Sequence, residues 1–179
     1  NLDSLGLCTL MEKDICLLVA DNAYAMNEKL VNTIIKVKIE EAAFLNPLNM
    51  VGIVKTIMDS NRKPDVIVFT HSSSGTELAS YVAGHFDLPL ITDVNGFDKD
   101  RDVFFKSYYS DKICGEFRKA GQGPIVITVR SGGFKEYAVE KTSPPVIETM
   151  EELPVAEGRT FMEYVEEEKA EIDITKAQF

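Results

Sequence analysis

Two spacings of apolar residues alternate along the first two thirds of the chain. Ile15 to Ala20 (ICLLVA) and Val66 to Phe69 (VIVF) are short, β-branched and unbroken by polar residues. Runs too continuous for a half-exposed strand predict strands buried on both faces of a parallel sheet. Asp21-Asn22 is a turn signal that ends the first strand. Asn27 to Ile34 then has room for about two helical turns before Ile35, Val37 and Ile39 alternate with Lys36, Lys38 and Glu40 at strand period. After the break at Asn46-Pro47, Met50, Ile53, Val54, Ile57 and Met58 recur at helical spacing, with Lys55, Asp59 and Ser60 opposite. This predicts a helix laid over the sheet, its methionines in the core.

The stretch from Lys63 to Val94 organises the rest. Pro64 and Asp65 lead into the Val66 strand, and Thr70 to Gly75 form a loop of small polar residues. Ser74 and Glu77 have the spacing of a capping box, which predicts a helix over Thr76 to Phe86. A second strand, Leu90 to Val94, follows Pro89. Together these make one βαβ unit, the building block of open α/β domains.

The pattern then changes. Asn95 to Asp102 reads as a polar loop, and Val103 to Tyr109, Lys112 to Arg118 and Pro124 to Arg130 read as strands separated by turns. Three strands in succession without helices predict an antiparallel addition. Beyond Phe134 come Tyr137, the break Ser143-Pro144-Pro145 and the apolar Val146 and Ile147. The expected fold class is α/β: an open parallel sheet flanked by helices, nucleotide-binding and Rossmann-like, with an antiparallel strand extension. The expected division is residues 1–13 as an N-terminal extension, 14–147 as the domain and 148–179 as an acidic arm, with residues 1–10 having no role in the fold and Met11 an alternative start.

Charge sharpens that division. Of the net −10, the segment Glu148 to Asp173 holds −8, ten acidic residues against Arg159 and Lys169, which leaves −2 for everything else. A nearly neutral body and an acidic arm exclude the basic face that nucleic acid or an anionic membrane requires. The arm is either a solvated surface, with one amphipathic segment at Thr160 to Glu168 that puts Phe161, Tyr164 and Val165 on one face, or a segment that docks on a basic partner. No apolar run approaches the roughly 20 residues that span a bilayer, and Asn1 to Leu10 lacks the basic start and apolar core of a signal peptide, so a cytoplasmic location is expected. Cys8, Cys16 and Cys114 lack metal-ligand spacing and read as buried thiols of a reducing compartment; with only His71 and His85 beside them, no metal site is expected.

Three motifs carry a resemblance. Gly75, Leu78 and Ala79, then Thr92, Asp93 and Val94, resemble the G-x-x-L-A helix start and S/T-D-V strand end of the N-terminal domain of the electron transfer flavoprotein alpha subunit. Phe104 to Asp111 (FFKSYYSD) resembles that family's F-x-R-x-x-Y-A-G-N, and Ile127 to Phe134 (ITVRSGGF) its T-V-R-x-x-x-F. The resemblance implies electron transfer through FAD, a beta-type partner subunit, and a small antiparallel sheet that helps pack the two subunits together. The chain departs from the family over Asn27 to Ile39, where members have a longer βαβα section: one strand and most of a helix are fewer, and Lys36 to Leu45 resembles the strand that comes after that section, while Ile172 to Phe179 resembles the family's linker and the start of its second domain. That second domain holds most of the flavin through a glycine-rich sequence. The chain has no G-x-G-x-x-G and no Walker loop, so FAD is expected to be bound elsewhere in the assembly.

In an open parallel sheet the loops after the strands line the ligand crevice, which brings Ala20 to Ala23 beside Thr70 to Gly75 if their strands are near neighbours. The candidate cofactor-binding residues are therefore Asp21, Asn22, Thr70, Ser72, Ser73, Ser74, Gly75 and Thr76. Their hydroxyls either cap the helix or, with its first-turn N–H groups, receive an anion such as the phosphate of AMP. Asp93 and Arg130 either pair structurally or contact a partner or cofactor. No catalytic residues are assigned: Ser72 to Ser74 beside His71 are the only local nucleophiles near a base, and loop neighbours rarely present the two groups to each other. The expectation is an alpha-related subunit, not an enzyme by itself, that contributes structure and partner contacts to electron transfer. It pairs with a beta-type subunit or forms a homo-oligomer. The alternative is an adenine-nucleotide-binding or regulatory module that has lost electron transfer.

Overall fold

The computed structural model describes residues 1–21, 27–151, 156, 159, 162, 163 and 165. The chain begins with α1 (Leu2–Leu10), which the sequence pattern assigns no role in the fold. Leu7 of this helix is fully buried, and Asp3 and Leu5 nearly so. A Cβ on Gly6 would lie 1.9 Å from the Phe134 carbonyl oxygen, so α1 rests directly on that backbone. Asp3 holds the contact from the side: its Oδ1 accepts the N–H groups of Phe134 and Lys135 at 2.9 and 3.1 Å. Burial pushes the Asp3 carboxyl up, but backbone donors from Phe134, Gly132 and Lys135 outweigh it and hold the group below the ordinary carboxylate range.

Next come β1 (Cys16–Ala20) and β2 (Thr33–Val37), parallel neighbours. The helix expected over Asn27 to Ile34 is a single 3₁₀ turn at Glu28–Leu30, because the strand starts at Thr33 and leaves no room for more. A four-residue α2 (Glu41–Phe44) leads to α3 (Pro47–Asp59), capped by Asn46, whose Oδ1 accepts the Leu48 N–H at 3.0 Å. Proline at the first helical position and asparagine before it explain why the helix starts there.

The central unit follows as β3 (Val66–Thr70), α4 (Ser73–Phe86) and β4 (Leu90–Val94). The cap of α4 is Ser72, not Ser74: its Oγ accepts the Gly75 N–H at 3.1 Å, which starts the helix three residues before the expected Thr76. Then β5 (Gly96–Asp98), β6 (Val103–Tyr108) and β7 (Ile113–Phe117) form an antiparallel sheet in that order. The strand expected third in that sheet is β8 (Ile125–Val129), which instead returns to lie between β3 and β4, parallel to both. Its place is taken by β5, from a stretch that reads as polar loop. All five residues of β8 are buried, whereas β3, expected to be buried on both faces, is a half-buried edge. After a 3₁₀ turn at Lys135–Tyr137, β9 (Val146–Met150) pairs with β2, so the apolar pair before the acidic arm, and Glu148 with it, belong to a sheet.

Among the described residues the result is α/β, two three-stranded parallel sheets (β1-β2-β9 and β3-β8-β4) flanked by helices, plus the antiparallel sheet. Side chains alternate across β8. Ile125, Ile127 and Val129 face a core with Leu7, Phe104 and Phe134, while Val126 faces Met50, Val54, Leu78 and Val82 of α3 and α4. Leu5 of α1 and Ile53 of α3 reach instead to the two cores against β1 and β2, so these helices join the parallel sheets. Of the cysteines expected to be buried, Cys8 is partly covered while Cys16 and Cys114 are exposed, because they lie at the start of an edge strand and on the outer strand of the antiparallel sheet. No helix among the described residues is long and apolar enough to cross a membrane. Phe161 and Tyr164 of the expected amphipathic segment lie outside the described residues; Met162 and Val165 are exposed.

Candidate functional site

The carboxyl ends of β3, β8 and β4 open onto the same side, and each delivers a charged or titratable side chain there: His71, Arg130 and Asp93. Arg130 meets Asp93 through two parallel bonds, Nε to Oδ1 at 2.9 Å and Nη2 to Oδ2 at 2.6 Å. This planar fork matches a carboxylate better than any other side chain can. The remaining guanidinium nitrogen, Nη1, reaches Asp111 Oδ1 at 3.3 Å in the turn between β6 and β7. Arg130 thereby ties the parallel sheet to the antiparallel one, which is the structural role that its position beside Asp93 suggests.

Asp93 reaches Arg130 because the backbone turns there. Its φ is +63°, in the left-handed region, and the pairing of β4 with β8 slips between Ile91 and Val94. A non-glycine residue in that conformation costs about 1 kcal/mol or more, which the surrounding bonds must offset. Hydrogen bonds from Arg130 hold the Asp93 carboxyl below the ordinary carboxylate range against the upward push of burial, and His71 and Lys106 act in the same direction as Arg130. The Arg130 guanidinium is correspondingly held in its charged form by Asp93.

Thr128 completes the network. It is the one polar residue of β8, fully buried, and its Oγ1 accepts the Asp93 N–H at 2.9 Å. The same hydroxyl lies 2.8 Å from His71 Nδ1. The other ring nitrogen of His71, Nε2, lies 3.5 Å from Asp93 Oδ1. In the sequence Thr128 is a lone threonine inside the apolar run Ile125 to Val129, which by itself does not mark it as part of a site.

Beside the network lies a shallow depression of about 530 Å³, lined by His71, Ser72, Ser73, Thr76, Glu77 and Ser80. The first turn of α4 forms one wall. Gly75 is required here: a Cβ would stand 1.9 Å from the Thr70 carbonyl oxygen. Of the candidate residues, Thr70, Ser72, Ser73, Gly75 and Thr76 come together at this place, and Ser74 is exposed on the same turn. Asp21 is exposed at the end of β1, in the other parallel sheet, and is not part of the lining; Asn22 lies outside the described residues. His71 takes its ring contacts from Thr128, from Thr76 Oγ1 3.4 Å away and from Asp93, rather than from a serine. Among the described residues no group of three or more His, Cys, Asp or Glu side chains is placed to hold a metal ion.

The family model of the electron transfer flavoprotein domain matches residues 12–155, from the turn after α1 through β9. The chain belongs to this family. No curated protein matches the chain. The electron transfer flavoprotein domain thus covers both parallel sheets, the antiparallel sheet and the Asp93–Arg130 pair, while α1 lies outside the matched region. A flavin ring does not fit the depression. It is open and lined by His71, three serines, Thr76 and Glu77, with no large apolar side chain to enclose a ring system of that size. A phosphate-bearing group suits the lining better, since the hydroxyl-bearing Ser72, Ser73, Thr76 and Ser80 border the depression at the start of α4. Glu77 opposes an anion there, and Arg159, whose Nη1 donates to Glu77 Oε1 at 2.8 Å, offsets that charge.

Proposed function

We propose that this electron transfer flavoprotein domain serves as an alpha-related subunit. In that role it contributes structure and partner contacts to electron transfer through FAD held elsewhere in an assembly with a beta-type subunit. The observation that supports this reading is the pairing of Asp93 with Arg130. These residues come from two of the motifs that resemble the alpha subunit, and they meet in a fork that also fixes the β6–β7 turn. Such a lock holds a partner-facing hairpin at a set angle. FAD, when bound in the assembly, supplies the redox chemistry. The residues of this chain supply the frame: Thr128 orients His71 and Asp93, and Arg130 couples the sheets.

The polar depression favours a second reading, an adenine-nucleotide-binding module. Thr70, Ser72, Ser73, Ser74, Gly75 and Thr76 would receive a phosphate of AMP at the start of α4, with Asp21 and Asn22 outside that contact. Native mass spectrometry of the chain, alone and with a co-expressed beta-type subunit, with FAD or AMP added, separates the two. The first reading expects a heterodimer that carries flavin and a lone chain that does not. Binding of AMP by the lone chain, with no association to the beta-type subunit, would replace it with the second. Stoichiometric flavin on the lone chain would overturn both.

A further inference from the structure

Four polar or charged residues are buried among the described ones: Asp3, Asn46, Asn49 and Thr128. Asp3 serves the Phe134 backbone and Thr128 the network at the strand ends, which leaves two asparagines at the start of α3. Both reach out of their own helix to the C-terminal arm. Asn49, 5% exposed, donates from Nδ2 to the Ala43 carbonyl at 2.9 Å and accepts the Ala156 N–H at Oδ1 at 2.7 Å. Asn46, 7% exposed, is fixed by its capping bond and points Nδ2 at the Arg159 carbonyl, 3.4 Å away. One amide accepts and the other donates, each oriented by its second bond, so the pair reads an N–H and a C=O three residues apart on one peptide.

We propose that Asn46 and Asn49 form a peptide-backbone clamp, occupied here by the chain's own C-terminal arm at Ala156 and Arg159. Burial of two side-chain amides demands partners for their donors and acceptors, and the arm's main chain supplies them. Because both amide contacts are to main-chain groups, they do not depend on the arm's acidic side chains. Among the described residues ion pairs add to this: Arg159 with Glu77 of α4, Glu148 with Arg62, and Glu151 with Lys38. Both backbone contacts fall past residue 155, where the family match ends, so the arm's side of the clamp is not part of the shared domain.

Trypsin cleavage after Arg159, followed by mass spectrometry, tests the clamp. The intact protein should be cut at least tenfold more slowly than a synthetic peptide spanning residues 150–168. Ala156→Pro deletes the donated N–H, and Asn46→Asp keeps the capping oxygen while removing the amide donor, so both variants keep the fold, as circular dichroism will verify. Each should raise the rate at Arg159 by several-fold to about tenfold, the loss of one hydrogen bond from the docked state. Cleavage of the wild type as fast as the peptide overturns the proposal, as do variants that leave the rate unchanged. Protection that rises with protein concentration alongside a dimer mass places the arm on a second copy and overturns docking within one chain.

Discussion

Two glycines in helices should respond to the same substitution with opposite signs. Gly84 sits exposed in α4 with nothing within 4 Å of the place an added methyl would take, so Gly84→Ala gains only helix propensity, a stabilisation of about 0.5–1 kcal/mol. Gly6 in α1 has the same intrinsic preference for alanine. Its new Cβ, however, would stand 1.9 Å from the Phe134 carbonyl oxygen, and the tightest tolerable approach is 3.0 Å. The helix must therefore retreat by at least 1.1 Å, the difference of those two distances, from a backbone atom that cannot rotate away. Retreat loosens the buried Leu7 and lengthens the Asp3 bonds to Phe134 and Lys135. Overpacking of this kind costs about 1–3 kcal/mol, and a weakened charged hydrogen bond adds about 1 kcal/mol more, so the net effect is a loss of roughly 1–3 kcal/mol after the propensity gain. Urea titration followed by circular dichroism measures both variants, with the midpoint shifting at constant slope. If Gly6→Ala is as stabilising as Gly84→Ala, α1 does not rest on Phe134 and its place in the fold is wrong.

Other outcomes follow from the same contacts. Arg130→Ala strips Asp93 of both its guanidinium bonds and should cost about 1–3 kcal/mol in the same titration, more than Arg101→Ala at the exposed Glu116 pair, which should cost less than about 1 kcal/mol. Ser72→Ala removes the α4 cap and should cost about 1 kcal/mol, whereas Ser74→Ala should change stability little; equal losses would return the capping role to Ser74. Asp3 and Asp93 both hold native values below the ordinary carboxylate one, so their stabilisation is complete above about pH 4–5 and lost as pH falls through that range toward the native values. Asp3→Asn should flatten that acid limb, and an unchanged slope would mean the carboxylate is not bonded as described. Iodoacetamide at pH 8 should label Cys16 and Cys114 in the folded protein and leave Cys8, whose burial raises its thiol to about 11, until denaturant is added.

The βαβ unit is legible in the sequence because its signals are local: a β-branched run, a serine-rich helix start, and Pro89 before the next strand. The cap is not, since three serines in a row offer two plausible spacings, and only the approach of Gly75 to Thr70 decides between them. The position of β8 depends on which strands it pairs with, and no local pattern encodes that; a run of five apolar and threonine residues reads equally well as the third strand of a hairpin sheet. Likewise α1 carries its evidence in Asp3 and Gly6, whose meaning appears only when Phe134 is beside them. At the candidate site the serine loop and the Asp93–Arg130 pair are readable from spacing and resemblance. Thr128 is not, because a buried hydroxyl looks like any strand threonine until the histidine it orients is found.

The placement of β8 also sets an order of assembly. As the chain leaves the ribosome, β3, α4 and β4 emerge before the strand that must lie between them, and two edges wait unpaired until residues 125–129 arrive. The first helix waits longer still, since its docking surface includes Phe134. Loop closure over such separations is slow, and unpaired strand edges are where chains stick to one another. Nascent or truncated forms that stop before β8 should therefore be bound by chaperones or aggregate, and completion of that one strand is the step after which the domain can close.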